Sequence, residues 1–319
     1  MESSVGGSEM KIKTGLMLFL CLFLLVGMKK DTFAQEYQTF GDFKYTYDEN
    51  GDIWLQEYVG DAKEVVVPGE IEGKRVRFMG EVFYHNEIVE KVTLPEGMEV
   101  VSGFDGCTNL VWVDIPKSTK KIDNYAFYQC ENLQSISLPK GLVEIGDGAF
   151  EQCISLTQIT IPNTVKVLEQ RAFYRCESLS KVTLSKNLTV IQDATFEYCE
   201  SLKSIKIPGK VKRINEDAFS SCDNLKKITL PNSLVAIEKA AISCNITQIT
   251  IPKNVVYLGN GAVCSPVLKK VKVKSKKLKY FDDSVFNSLV HGGTIEVPAK
   301  CYNKYKDLYP YGCKVKKVK

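Results

Sequence analysis

Histidine is almost missing: the 319 residues hold two, His85 and His291. They lie at opposite ends of the chain's repetitive part. No Cys–His or Ser–His–Asp unit can form unless those ends meet. There is also no HExxH helix, no CxxC pair and no glycine-rich phosphate loop. These absences argue against nucleophilic hydrolysis, zinc chemistry and nucleotide binding. Adjacent carboxylates such as Glu216–Asp217 read as the start of a helix, not as an acid–base pair. Charge of one sign is lacking too. A net charge of +4 is too small to imply nucleic acid. The lysine-rich stretch Leu268–Lys279 has no interleaved aromatics on which bases could stack. Long hydrophobic runs are missing as well. The longest, Leu16–Val26, has 11 residues, where a spanning helix needs about 20. The expectation is a non-enzymatic protein with no cofactor, no metal, no nucleic-acid partner and no transmembrane span.

What is present begins with a targeting segment. Lys11 and Lys13 precede the apolar run, and Thr32-Phe33-Ala34 puts small residues at −3 and −1. This pattern predicts an export signal over residues 1–34, with cleavage before Gln35. Cys21 follows Phe19-Leu20, so a lipoprotein signal is not expected. Glu2 and Glu9 are unusual ahead of such a signal. Two GGA codons for Gly6-Gly7 would spell a ribosome-binding site just upstream of Met10. Met10 is therefore expected to be the true start, in a bacterial gene. The expected location is secreted or at the cell surface.

Residues 35–62 read as a β-hairpin. Phe43–Tyr47 and Ile53–Tyr58 alternate around Asp48-Glu49-Asn50-Gly51-Asp52, and Asn-Gly is a strong hairpin turn. From residue 63 to 290 the chain restates one pattern about ten times. The hairpin is expected to cap the naked edge of the first copy. Leu133–Ser155 (LQSISLPKGLVEIGDGAFEQCIS) is the clearest copy, with a period of 23 residues. Phe104, Phe127, Phe150, Phe173, Phe196 and Phe219 recur at that step. Nine of the eleven prolines share one phase, from Pro68 to Pro298, where each would end a strand. Leu133-x-x-Ile136-x-Leu138 predicts a short strand, and Leu142 and Ile145 a second extended piece. Asp147 would cap a short helix carrying Ala149, Phe150 and Cys153 inward. Residues 291–319 read as a C-terminal cap. One repeat buries too little to fold alone, so stacking must hold the rod together.

The elements Ile136-Ser137-Leu138-Pro139, Ile122–Cys130, Ile145–Cys153 and Leu202–Ile205 resemble the BspA-type leucine-rich repeats of bacterial surface proteins. Val65-Val66-Val67-Pro68 and Ile71-Glu72-Gly73-Lys74, behind the hairpin, resemble that family's N-terminal entry. The resemblance covers roughly residues 42–310. It implies a mostly-β solenoid with short helices, right-handed, capped at both ends. It also implies secretion or surface display and, in some members, adhesion. No fixed binding residues come with it.

Cys107, Cys130, Cys153, Cys176, Cys199 and Cys222 keep the 23-residue step, and Cys244 and Cys264 nearly do. An exported protein invites disulfides. Stacked side chains pointing the same way instead favour a buried ladder of free thiols, since parallel Cβ vectors fit a disulfide poorly. Serial disulfides or a metal site stay open. Cys301 and Cys313 are off phase and are either bridged to each other or two unrelated thiols. The strand positions beside each repeat leucine should face solvent. They carry Trp112, Lys181, Lys203, Lys206, Lys226, Lys227, Lys269, Lys270 and Lys272. Acidic residues such as Glu131, Asp147, Glu177 and Asp223 fall near the turns instead. The expected partner is an extracellular protein or an anionic polysaccharide, bound by a monomer through this face. The alternatives are a soluble sheet that only resists edge pairing, a spacer module, and an enzyme or inhibitor.

Overall fold

The computed structural model describes residues 37–281, 285–286, 288–306 and 313–318. The expected export signal, with Met10 and Cys21, lies outside them. The described chain is a mostly-β solenoid of about 11 turns with almost no helix. It opens on β1 (Gln38–Phe40), β2 (Phe43–Tyr47) and β3 (Ile53–Tyr58), paired antiparallel in sequence. The turn between β2 and β3 is tied by Asp48, whose Oδ1 accepts from the backbone N–H of Asn50 and Asp52 at 2.9 and 2.8 Å. Gly51 there sits at φ 80°, which glycine adopts without strain. After β4 (Glu64–Val66) and β5 (Glu70–Ile71) comes β6 (Lys74–Met79). It joins β3 in parallel, so the hairpin and the first turn share one ladder. Tyr45, Ile53, Leu55 and Val76 are buried on its inner side.

Each later turn has three edges. The first is a short strand whose second residue points inward. These strands are Lys91–Thr93, Trp112–Asp114, Gln158–Thr160, Lys181–Thr183, Ser204–Lys206, Lys227–Thr229, Gln248–Ile251, Lys270–Val273, Thr294–Pro298 and Lys314–Val318. The second is a two-residue strand with a buried second residue, such as Lys121–Ile122, Glu144–Ile145 and Arg213–Ile214. Beyond β6 every strand pair is parallel, as stacked copies in one register require, whereas β5 and β6 pair antiparallel. Leu133–Leu138, expected as a strand, makes none. Its Gln134 carbonyl accepts one ladder bond, from the Thr157 N–H at 3.2 Å, and Ile136 and Leu138 are only half-buried. The proline phase is missing at Ser185 and Ser275. Both are fully buried, and their hydroxyls donate to the Val165 and Val255 carbonyls at 2.6 and 2.5 Å.

The third edge corrects the sequence reading. The segments around Phe127, Phe150 and Phe173 are chains of tight turns, not short helices. Alternate N–H groups leave the repeat altogether. Gly148, Phe150 and Gln152 donate to the carbonyls of Gln170, Ala172 and Tyr174, one repeat on, at 2.8–3.1 Å. Those N–H groups are thereby lost to any i→i−4 helix. Left-handed residues make the alternation possible: Tyr125, Gln129, Gly148, Gln152, Arg171 and Arg175 lie at φ 54–61°. Asn124 and Asp193, which share the repeat phase of Asp147, work across repeats. Asn124 Oδ1 accepts from Asp147 N, and Asp193 Oδ1 from Glu216 N, at 2.9 and 3.0 Å.

Under these turns runs a stack of rings. Phe83, Phe104, Phe127, Phe150, Phe173, Phe196 and Phe219 lie with centroids 5.1–5.5 Å apart and planes within 12°. Each offset ring pair adds about 0.5–1.5 kcal/mol beyond the area it buries. Tyr58 continues the stack into the hairpin. The one α-helix among the described residues is Tyr302–Tyr305, behind the 3-10 turn Ala299–Cys301. The Tyr305 side chain packs into the core. No helix among the described residues is long and apolar enough to cross a membrane.

Candidate functional site

The second residue of each short strand is inward, so the residues on either side of it are turned out, and Lys203, Lys226 and Lys269 lie one residue ahead of their strands. Trp112, Lys181, Lys203, Lys206, Lys226, Lys227, Lys269 and Lys270 are exposed, and Lys272 is half-buried. The parallel registers align Glu64, Lys91 and Trp112 in one row, and Gln158 with Lys181 in another. Ser204 aligns with Lys227, and Gln248, Lys270, Thr294 and Lys314 form a further row. Of the nine residues expected on this face, Lys270 alone has an ion pair among the described residues, with Glu296 at 2.6 Å. That hydrogen bond holds the Glu296 carboxyl below its usual range, with Lys272 and Lys316 adding to the effect. Sequence reading passed over Glu296. Its phase in Thr294-Ile295-Glu296 matches Lys272, which is the signal that could have found it.

The face is not one continuous sheet. Its strands pair as separate groups, and one interruption falls between Lys227–Thr229 and Gln248–Ile251. A groove of about 620 Å³ opens there. Lys226, Lys227 and Lys274 stand around it, with Thr229, Gln248 and Thr250 on its walls. A larger cleft, of about 920 Å³, lies near the entry to the solenoid. Trp54, Gln56, Tyr84, His85 and Asn86 are among its lining residues.

The turn edge carries a second cluster, hidden from the sequence by the helix expectation. Glu151, 3% exposed, pairs with Arg171 at 2.7 Å. The Arg171 guanidinium lies 4.7 Å from the Tyr174 ring, and that of Arg175 lies 5.2 Å from the Tyr198 ring. Tyr174 and Tyr198 meet edge to face. Burial pushes the Glu151 carboxyl up, against the lowering pull of Arg171. The signal was recurrence: Tyr128 and Tyr174 each follow a column phenylalanine directly.

The thiols have a packing place. Cys107, Cys130, Cys153, Cys176, Cys199, Cys222 and Cys244 are buried, and all ten described cysteines are free. Six of them donate Sγ–H to the carbonyl of the preceding repeat's phenylalanine at 2.9–3.2 Å. Burial pushes the Cys107 and Cys244 thiols up to about 12. Cys264 departs from expectation and is exposed. It aligns with Ser243, one residue ahead of the thiol phase, and the buried Ser265 fills that phase. Cys301 and Cys313 are not bridged to each other. Lys314 pairs with Thr294 and Val318 with Pro298 in parallel, so Cys313 precedes one strand while Cys301 lies beyond the far end of its neighbour. A five-residue strand at about 3.3 Å per residue separates them by more than a disulfide's ~7 Å reach. Cys301 Sγ lies against the Ser275 carbonyl and Cys313 Sγ against that of Val290. Among the described residues no group of three His, Cys, Asp or Glu side chains could hold a metal ion.

No curated protein matches the chain. Solved structures do. A leucine-rich repeat protein from Bacteroides ovatus ATCC 8483 is 23% identical, covers 88% of this chain and 100% of its own, and superposes with a TM-score of 0.66. A leucine rich cell surface protein from Faecalibacterium prausnitzii A2-165 is 21% identical, covers 88% and 94%, and superposes at 0.59. These likenesses establish the fold. The BspA type leucine rich repeat region matches in six copies over residues 77–203 and 190–315. Both the repeat pattern and the solenoid it builds are thus accounted for, and the chain belongs to the BspA-type leucine-rich-repeat family.

Proposed function

We propose that this protein is an exported, non-enzymatic binding module whose lysine-bearing sheet face holds a negatively charged macromolecule, an acidic protein or an anionic polysaccharide. One observation carries the reading. Lys181, Lys203, Lys206, Lys226, Lys227, Lys269 and Lys272 share one face of the solenoid with no ion pair among the described residues. Unpaired cations on adjacent rungs repel one another and are relieved by a polyanion laid across them. Export rests on the basic–apolar–small pattern of residues 11–34. The surface location named for the Faecalibacterium protein supports it. Family membership fits adhesion at a cell surface.

The test is retention on a heparin column over a salt gradient. A version with Lys226, Lys227, Lys269, Lys270 and Lys272 changed to Ser is expected to elute at clearly lower salt. Unchanged retention and salt dependence would mean that the lysines only keep the sheet soluble. The protein would then be a spacer.

A further inference from the structure

We propose that the groove between the strands Lys227–Thr229 and Gln248–Ile251 binds an acidic polypeptide segment in extended form, as a strand added to the open sheet. The proposal rests on the basic-face reading and narrows it to one place and one chemistry.

The ladder is open there. The strand Lys227–Thr229 pairs with Ser204–Lys206, and Gln248–Ile251 pairs with Lys270–Val273. No backbone hydrogen bond joins the two strands to each other among the described residues. Each therefore turns an unpaired edge toward the groove, and such edges accept further strands. The opening is confined to this sheet. The second sheet runs through unbroken, with Arg213, Ala236 and Tyr257 in register. Two asparagine side chains bracket the gap. Asn245 Nδ2 donates to the Asp223 carbonyl at 2.9 Å and Asn254 Nδ2 to the Asn232 carbonyl at 2.8 Å. Leu225 and Ile246, equivalent residues, are 21 residues apart where the period is 23. The chain thus enters the second strand through a turn two residues short.

The walls select the ligand. Lys226, Lys227 and Lys274 surround the groove, and no carboxylate side chain lines it. Thr229, Gln248 and Thr250 add neutral hydrogen-bonding groups, and Ile228 and Ile249 contribute apolar surface. No aromatic ring is among the lining residues, so a sugar ring would have nothing to stack on. A peptide strand meets every requirement at once. Its backbone serves the open edges, one set of alternate side chains faces the lysines, and the other set faces the isoleucines. An alternating acidic–aliphatic segment is the complement.

The test is fluorescence anisotropy with a labelled peptide, four Glu-Val repeats blocked at both ends. Saturable binding is expected. Methylating alternate backbone nitrogens on one edge should weaken it about tenfold or more, as should Thr250→Trp, which fills the groove and keeps every lysine; tenfold corresponds to ~1.4 kcal/mol. Thr250→Trp should leave heparin retention unchanged, which separates the groove from the wider face. Changing Lys226, Lys227 and Lys274 to Ser should weaken binding and flatten its salt dependence. Equal binding of the methylated peptide would show charge alone at work and overturn the proposal. So would absence of peptide binding by a protein that heparin still retains. Peptide binding without heparin retention would uphold the groove and remove only the wider reading.

Discussion

The Cys153 thiol donates to the Phe127 carbonyl, one repeat back, at 3.1 Å. That carbonyl already accepts the N–H of Cys130 at 3.2 Å. Each such phenylalanine carbonyl thus takes one donor from its own turn and one from the next. The position calls for a small side chain that is apolar enough to bury and still carries a proton. Cys153→Ala is expected to cost about 1–2 kcal/mol, the sum of a small cavity and a lost hydrogen bond. Cys153→Ser should cost less, because its hydroxyl can keep the bond. Urea unfolding decides it, and an alanine variant as stable as the parent would remove the bond from the account.

Burial also governs the reactivity of these thiols. In the native protein at pH 8, iodoacetamide is expected to modify Cys264 first and to leave the buried seven until urea unfolds the chain. The pH dependence has a definite sign. Cys107 and Cys244 keep their protons to about 12 when folded, whereas an unfolded thiol loses its proton near 8.5. Their contribution is complete below about 8.5 and is lost as pH rises toward 12. Stability measured from pH 7 to 10.5 should therefore fall on the alkaline side. Rapid alkylation of Cys153 in the folded state would contradict the burial.

Arg171→Met would leave the Glu151 carboxylate buried with no cation beside it. Because the Arg171 side chain is partly exposed, the cost at neutral pH is expected to be about 1–2 kcal/mol. Glu151 has a raised folded pKa, so acid favours the folded state as pH falls from that value toward the unfolded one. The penalty of Arg171→Met should thus shrink at pH 5 relative to pH 7.5. A penalty independent of pH would assign the loss to packing on Tyr174 instead.

Glu296 partly neutralises the basic face through Lys270. Glu296→Gln removes that charge and frees the lysine. Elution from heparin is expected to move to higher salt, opposite in direction to the Lys→Ser changes. Exposed pairs contribute at most about 1 kcal/mol to folding, so the melting temperature should stay within a few degrees. Earlier elution would mean that Lys270 does not face the polymer.

The hairpin was legible because Asn50-Gly51 between two alternating segments admits few other structures. The outward row from Trp112 to Lys270 was legible because a strand alternates with period two. The turn edge was not. Ala149, Phe150 and Cys153 at i, i+1 and i+4 suit a short helix as well as they suit stacked turns. Only bonds from Phe150 to Ala172 decide between the two, and they run between residues 22 apart. The same blindness hid the Tyr174–Arg175–Tyr198 cluster. Cys264 went wrong for a related reason. Residue counts give phase only while the period holds, and it falls to 21 between Ile242 and Val263.

The sequence by itself determined the repeat, its period, the core columns and which strand residues point outward, because each depends on local periodicity and burial. The tertiary structure decided what lies between repeats. It set where the ladder breaks to open the groove beside Lys227, that Glu296 reaches Lys270, and that Cys301 and Cys313 sit at opposite ends of a parallel pair. Those outcomes depend on how neighbouring copies pair, and pairing is a relation between residues some twenty apart that local pattern does not encode.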